Sequence, residues 1–310
     1  MKGLSDLRVF CEYITKKYES PGLISEEEKA EEFRNVYLRG LPLNLKTLRA
    51  VACACGINLN GMDGGKLPSN MRGFHQVFDG KRDIYYKKDD TISGIENTIL
   101  HEFREMIEPV FGELCPGYEP LRTIAIHSVA NRFASAVLLP KDEFRIKAYE
   151  TGLDVIALSR FYYKSCSQVL LRMGEVLQGR LFFYGVLYES DDSSQPDWQV
   201  TYWTASSNDD VPEANVSGLY HFFPRKGHGI TADSLVDKVV KSGKAHMVNL
   251  ITLLDDVGDE GLTAIAQPLL IPETTAKVAL LVLLQQDRHK LTPQIENVKP
   301  AIIDSFHKHL

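Results

Sequence analysis

Residues 93–109 read Ser-Gly-Ile-Glu-Asn-Thr-Ile-Leu-His-Glu-Phe-Arg-Glu-Met-Ile-Glu-Pro. Ile95, Ile99, Phe103 and Met106 recur at helical intervals, Ser93 and Glu96 have the spacing of a capping box, and Pro109 closes the pattern. A helix is therefore predicted over about 94–108. On it His101 and Glu105 fall one turn apart on one side, with Glu102 beside them. In the zincin arrangement two histidines at i and i+4 bind zinc, and the glutamate after the first takes a proton from metal-bound water. Here the second histidine is a glutamate.

The next helical stretch, Leu121 to Leu138, carries Ile124, Val129, Phe133 and Val137 on its apolar side and ends before Pro140. Its second part reads His127-Ser-Val-Ala-Asn-Arg-Phe-Ala-Ser-Ala-Val-Leu-Leu-Pro140. Together the two stretches resemble the ImmA/IrrE family of zinc-peptidase-like proteins. That family shows His-Glu-x-x-His on one helix, and on the next Glu-x-x-Ala-Asn-x-Phe-Ala running to Leu-Leu-x-Pro. The resemblance implies a zincin-like fold in which the second helix supplies the third metal ligand. Both departures fall on ligand positions and are reciprocal: His becomes Glu at 105, and Glu becomes His at 127. Two imidazoles and one carboxylate remain, a set that a tetrahedral Zn2+ (or another divalent metal) accepts with one position open. The predicted ligands are His101, Glu105 and His127, with Glu102 as the general base. Asn131, one turn beyond His127, is a candidate to orient that imidazole, or a cap on buried backbone. Glu108 is a candidate ligand or supporting group, or a solvated residue before Pro109. The competing reading is a chain that kept the fold and lost the metal: a noncatalytic transcriptional regulator or protein-binding scaffold.

Upstream of the motif, Phe74, Val77 and Phe78 precede Asp79-Gly80, and Ile84-Tyr85-Tyr86 follows, the pattern of a hairpin whose second arm is expected at a sheet edge. Tyr85, Tyr86 and His75 are thereby candidates for oxyanion donors, although aromatic residues in strands usually pack. The edge could hold an extended substrate by strand addition. Before residue 60 the pattern is mainly helical, and Glu26, Glu27, Glu28, Glu31 and Glu32 read as the solvated face of a segment burying Phe33, Val36 and Tyr37.

Downstream, Leu153–Phe161 and Ser165–Leu177, joined by Tyr162-Tyr163-Lys164, outline a helix-turn-helix. Lys164, Arg172 and Arg180 could meet phosphate. However, residues 141–180 hold only seven basic against five acidic side chains, and Cys166, Val169 and Leu170 fit a core-facing stripe, which argues against DNA binding. Strands are expected at Leu181–Tyr188, Gln199–Thr204, Ala264–Ile271 and Lys277–Leu284, with helices at Asp233–Ser242 and from about Pro293. The expected fold class is α+β: a helical zincin-like domain with a small edge sheet over 1–150, the helix-turn-helix segment over 151–179, and a sensor module over 180–310. The arrangement resembles the IrrE-type, radiation-response subgroup, whose last domain is GAF-like. Ser234–Lys244, Ala266–Leu270 and Ala279–Leu283 resemble the GAF helix, central strand and next strand. This resemblance implies a stress-responsive zinc metallopeptidase that cleaves a helix-turn-helix repressor protein, with a small-molecule or protein signal read by the GAF-like domain.

The composition bounds these readings. The 310 residues carry 35 basic and 41 acidic side chains, and 44% are hydrophobic, an ordinary globular balance. Residues 181–310 hold 10 basic and 17 acidic side chains, which opposes a broad phosphate-binding surface there. Five cysteines, odd in number and without a Cys-x-x-Cys pair, do not make a disulfide framework. None follows residue 180, so that module holds no thioether-linked chromophore or thiol switch. Cys53 and Cys55 read as small residues in an amphipathic segment. The longest apolar run, Val278–Leu284, is far short of the ~18 residues needed to span a bilayer. A charged amino terminus without a signal-peptide core leads us to expect a cytoplasmic protein with no membrane partner.

Overall fold

The computed structural model describes residues 7–68, 71–122, 124–190, 198–207, 227, 234–250, 261–269, 276–291 and 301–303. The chain divides into two compact units, residues 1–141 and 142–310, and the architecture is α+β.

The first unit opens with α1 (Leu7–Tyr18), α2 (Glu26–Phe33), a π-helical turn (Arg34–Leu38) and α3 (Leu45–Ala54). Capping boxes start α2 at Ser25 with Glu28 and α3 at Asn44 with Thr47. The carboxylates of α2 are not simply a solvated face. Glu28 and Glu31 are exposed, but Glu32 is buried and accepts hydrogen bonds from Tyr13, Lys17 and Tyr18. Glu26 takes both Nε and Nη2 of Arg104, at 2.6 and 2.9 Å.

A three-stranded sheet follows: β1 (Ile57–Met62), β2 (Gly73–Phe78) and β3 (Lys81–Lys87), in the order β1-β3-β2. The hairpin turns at Asp79 and Gly80, both at positive φ, which suits the sheet's twist. The second arm is central rather than an edge, because β1, which begins inside the region expected to be helical and runs past its end at residue 60, pairs parallel to it. The exposed edge beside the hairpin is β2.

The motif helix α4 runs from Ile92 to Leu114, and Thr91 rather than Ser93 caps it. Pro109 does not stop it. The proline lies on the exposed side, where water can reach the carbonyl its missing N–H leaves without a partner, and the full burial of Phe111 holds the next turn. Helix α5 (Ile124–Leu138) lies against α4. Its buried Ala130 and Ala134 let the two backbones approach. Phe103 of α4 stacks on Phe133 of α5 at 6.3 Å, and Phe33 packs edge-on against both, at 5.1 and 5.7 Å. Such aromatic contacts set the relative register of the helices.

The second unit contains α6 (Lys141–Glu150), which begins at the seam, α7 (Val155–Tyr162), α8 (Cys166–Leu177), α9 (Leu235–Ser242) and six strands. They are β4 (Phe183–Ser190), β5 (Gln199–Ser206), β6 (His246–Leu250), β7 (Leu262–Leu269), β8 (Ala276–Leu284) and β9 (Ala301–Ile303), ordered β5-β4-β8-β7-β6-β9. Helix α9 packs its buried Leu235, Val236 and Val239 with Tyr184, Val186, Leu280 and Val282 of the sheet. The closing helix expected from Pro293 falls largely outside the described residues; 301–303 within it form a strand.

The α7–α8 pair matches the expected two-helix outline, but α8 is a packing element. Val169, Leu170, Met173 and Val176 are buried, and Gly174 meets β5 so closely that a Cβ there would lie 1.8 Å from Thr204 Oγ1. Arg172, a candidate phosphate contact, is fully buried with Nη1 2.8 Å from Glu175, and Lys164 is also buried. Among the described residues no helix is long and apolar enough to cross a membrane.

Candidate metal centre

The α4–α5 packing brings three donor atoms to one point. His101 Nε2 lies 3.0 Å from Glu105 Oε1, His127 Nδ1 lies 2.5 Å from the same oxygen, and the two imidazole nitrogens are 3.3 Å apart. Ligand atoms around a tetrahedral zinc ion, at about 2.0–2.2 Å from it, are about 3.3–3.6 Å from one another. The two nitrogens already have that separation, and opening the contacts to Glu105 by less than about 1 Å would complete the triangle. Two imidazoles and a carboxylate, convergent from two helices, fit a divalent cation.

Surrounding groups orient this set. Asn131 Oδ1 lies 2.9 Å from His101 Nδ1, so a proton on Nδ1 donates to the amide oxygen and leaves the Nε2 lone pair facing Glu105 and His127. This is the usual support for a ligating histidine. Asn131 therefore serves His101, not the His127 of its own helix. Burial disfavours a charged His101, but the hydrogen bond with Glu105 and the negative charges of Glu102 and Glu105 outweigh it and hold its pKa above the ordinary value. Burial likewise works against an ionised Glu105, and the contact with His101 reverses the balance, lowering its pKa. The pocket's field suits a positive charge.

Glu102, buried on α4, has Oε2 2.8 Å from His75 Nδ1. His75 reaches it because the pleat turns His75 and its cross-strand neighbour, the fully buried Ile84, to one face. The approach depends on Gly73: a Cβ there would lie 2.4 Å from both Thr98 Cγ2 on α4 and Tyr85 O. A cleft of about 320 Å3 opens between the β2 segment and the two helices, lined in part by Arg72, Gly73, His101, Glu102, His127 and Asn131.

The structure does not bring the other candidates there. Tyr86 is buried in an apolar cluster with Ile95 and Ile99, and Tyr85 stacks on Phe74 at 4.6 Å on the opposite face of the sheet. Glu108 is neither solvated nor turned to the cleft. It accepts from Arg104 at 2.7 Å, Tyr118 at 2.6 Å and the Leu121 amide at 2.7 Å. This buried cluster, with Glu26 and Lys29 on its other side, clamps α4 to α2 and to the segment entering α5.

An α+β protein is thus defined, with two imidazoles, a carboxylate and a flanking glutamate at one cleft of its first unit. No protein-family model matches the chain, and no curated protein matches its sequence. Among solved structures it is similar to a Mycobacterium tuberculosis transcriptional regulator, with 13% identity and a TM-score of 0.55 over 96% of this chain and 88% of that one. That likeness is one of fold.

Proposed function

We propose that the chain is a divalent-metal-dependent, most simply zinc-dependent, endopeptidase of the ImmA/IrrE type that acts in transcriptional regulation by cleaving a helix-turn-helix repressor protein. The observation that carries the reading is the convergence of His101, Glu105 and His127 beside Glu102. The exchanged residues share one point, as the reciprocal swap requires. A bound cation would supply Lewis acidity toward the scissile carbonyl and its attacking water. Glu102 takes a proton from that water and delivers it to the departing amine, and His75 holds the carboxylate in place. The β2 edge offers main-chain groups to an extended substrate. The regulatory part of the reading is supported by the fold likeness to a transcriptional regulator, and the resemblance of residues 180–310 to a GAF-like domain implies the sensing of a small molecule or protein.

Metal content of the full chain, dialysed against metal-free buffer, tests the reading. About one zinc per chain is expected for the wild type and nearly none for Glu105→Ala or His127→Ala. Equal contents in all three overturn it. Glu102→Gln should keep the metal and abolish cleavage of the repressor. The second reading, a noncatalytic regulator, is favoured only by the likeness in fold, and it requires Glu102→Gln to leave the regulatory output intact.

A further inference from the structure

Glu105 has two carboxylate oxygens, and the fold turns them to different partners. Oε1 faces His101 and His127, while Oε2 lies 3.8 Å from His75 Nδ1, which is itself 2.8 Å from Glu102 Oε2. Donor atoms of His75, Glu102 and Glu105 all lie within 4.8 Å of one another, as do those of His101, Glu105 and His127. We propose that His75, Glu102 and Glu105 form a second divalent-cation site, sharing the Glu105 carboxylate with the first centre and taking Glu102 out of proton transfer when filled.

The proposal rests on the metal-dependent reading above and adds a regulatory site to it. A carboxylate can bridge two cations about 3.5–4 Å apart, the spacing of two-metal centres. An imidazole at 105 could not do so, because its two nitrogens point away from each other. The glutamate that interrupts the zincin pattern is thus the residue that makes a second site possible. The donors come from two rigid elements, with His75 on β2 and both glutamates on α4. Their side chains are only 26%, 9% and 12% exposed in that order, so two neighbouring carboxylates share a site poor in solvent, and a cation relieves their repulsion. One imidazole and two carboxylates suit zinc or manganese. The second site has one carboxylate in common with the first and lies beside the open edge strand, so it fills at higher metal concentration. Filling it occupies the oxygen that would accept the proton, and excess metal then inhibits.

Titration of metal-free full chain with Zn2+, read by direct binding, decides the matter. Saturation at about two ions per chain is expected for the wild type. About one is expected for His75→Ala and for Glu102→Gln, the latter an isosteric change that serves if His75→Ala fails to fold. Manganese provides a second readout: ions this close couple magnetically, so the doubly loaded chain should give less resonance signal than twice the singly loaded one. Wild-type saturation at one ion, or a count of two retained in Glu102→Gln, overturns the second site and leaves the endopeptidase reading standing. A wild type that binds none overturns both.

Discussion

Asn131→Ala probes the metal centre through a residue that touches no metal. The variant removes the acceptor 2.9 Å from His101 Nδ1 and leaves His101, Glu105 and His127 in place. Two costs follow. The imidazole loses the partner that fixes its tautomer and ring angle, and Nε2 loses the electron density that the Nδ1–H hydrogen bond lends it. A neutral hydrogen bond contributes about 0.5–1.5 kcal/mol net. Loss of such a supporting group from metal-ligating histidines costs about 10–100-fold in affinity, or about 1.4–2.7 kcal/mol. Asn131 is itself exposed, so water can take over as acceptor for Nδ1–H and the effect should lie at the lower end, about tenfold. Competition of the full chain against a chromophoric chelator for Zn2+ measures it. Asn131→Asp keeps an acceptor and makes it ionic, so it should bind zinc at least as tightly as wild type. If Asn131→Ala binds within twofold of wild type, His101 is not held as a ligand by this contact and the orientation argument fails. Parallel weakening by Asp and Ala would refute it equally, since only the fit of the amide would then matter.

Arg104→Met keeps the buried stem but strips the cation from Glu26 and Glu108. Breaking a buried pair costs about 3–5 kcal/mol, softened here because Lys29, Tyr118 and the Leu121 amide remain as partners. Melting of the first unit should fall by about 10 °C, and a loss under about 3 °C would deny the cluster a structural role. Burial opposes ionisation of Glu26, but Arg104 outweighs it and holds the pKa below the ordinary carboxylate range. Its stabilisation is therefore present above the unfolded-state pKa and disappears as pH falls through the depressed folded one. Acid titration of stability should show a shallower decline there in Arg104→Met than in wild type. Gly174→Ala, which drives a methyl onto Thr204 of β5, should destabilise the second unit by about 1–3 kcal/mol in urea unfolding. A neutral result would mean that α8 does not pack on the sheet as described.

Much of the candidate site could be read without coordinates because helical periodicity is a local property. Ile95, Ile99, Phe103 and Met106 set the phase of α4, and that phase alone places His101 and Glu105 on one side. The α7–α8 outline was legible for the same reason, and the structure adds a capping box of Ser165 with Gln168 at the start of α8. What local pattern misjudged depends on partners distant in sequence. The start of strand β1 was read within a helical region because its six residues become a strand only by pairing with β3. Glu26 and Glu32 looked solvated because nothing nearby in sequence reveals that Arg104, and Tyr13, Lys17 and Tyr18, will meet them. Pro109 looked terminal because the burial of Phe111 beyond it is tertiary.

Sequence alone determined which residue types the cleft could contain: three imidazoles and three carboxylates at helical and strand positions, with an apolar stripe behind them. Only the folded chain decided which of them meet. It sent Glu108 into an ion cluster with Arg104, gave Asn131 to His101, and turned His75 onto Glu102. Spacing along one helix fixes direction, whereas contact between side chains on different elements depends on how closely those elements pack. Here that closeness comes from Ala130, Ala134 and the stacked Phe103 and Phe133 with Phe33 edge-on against them, and from a bare glycine at residue 73 between helix and strand.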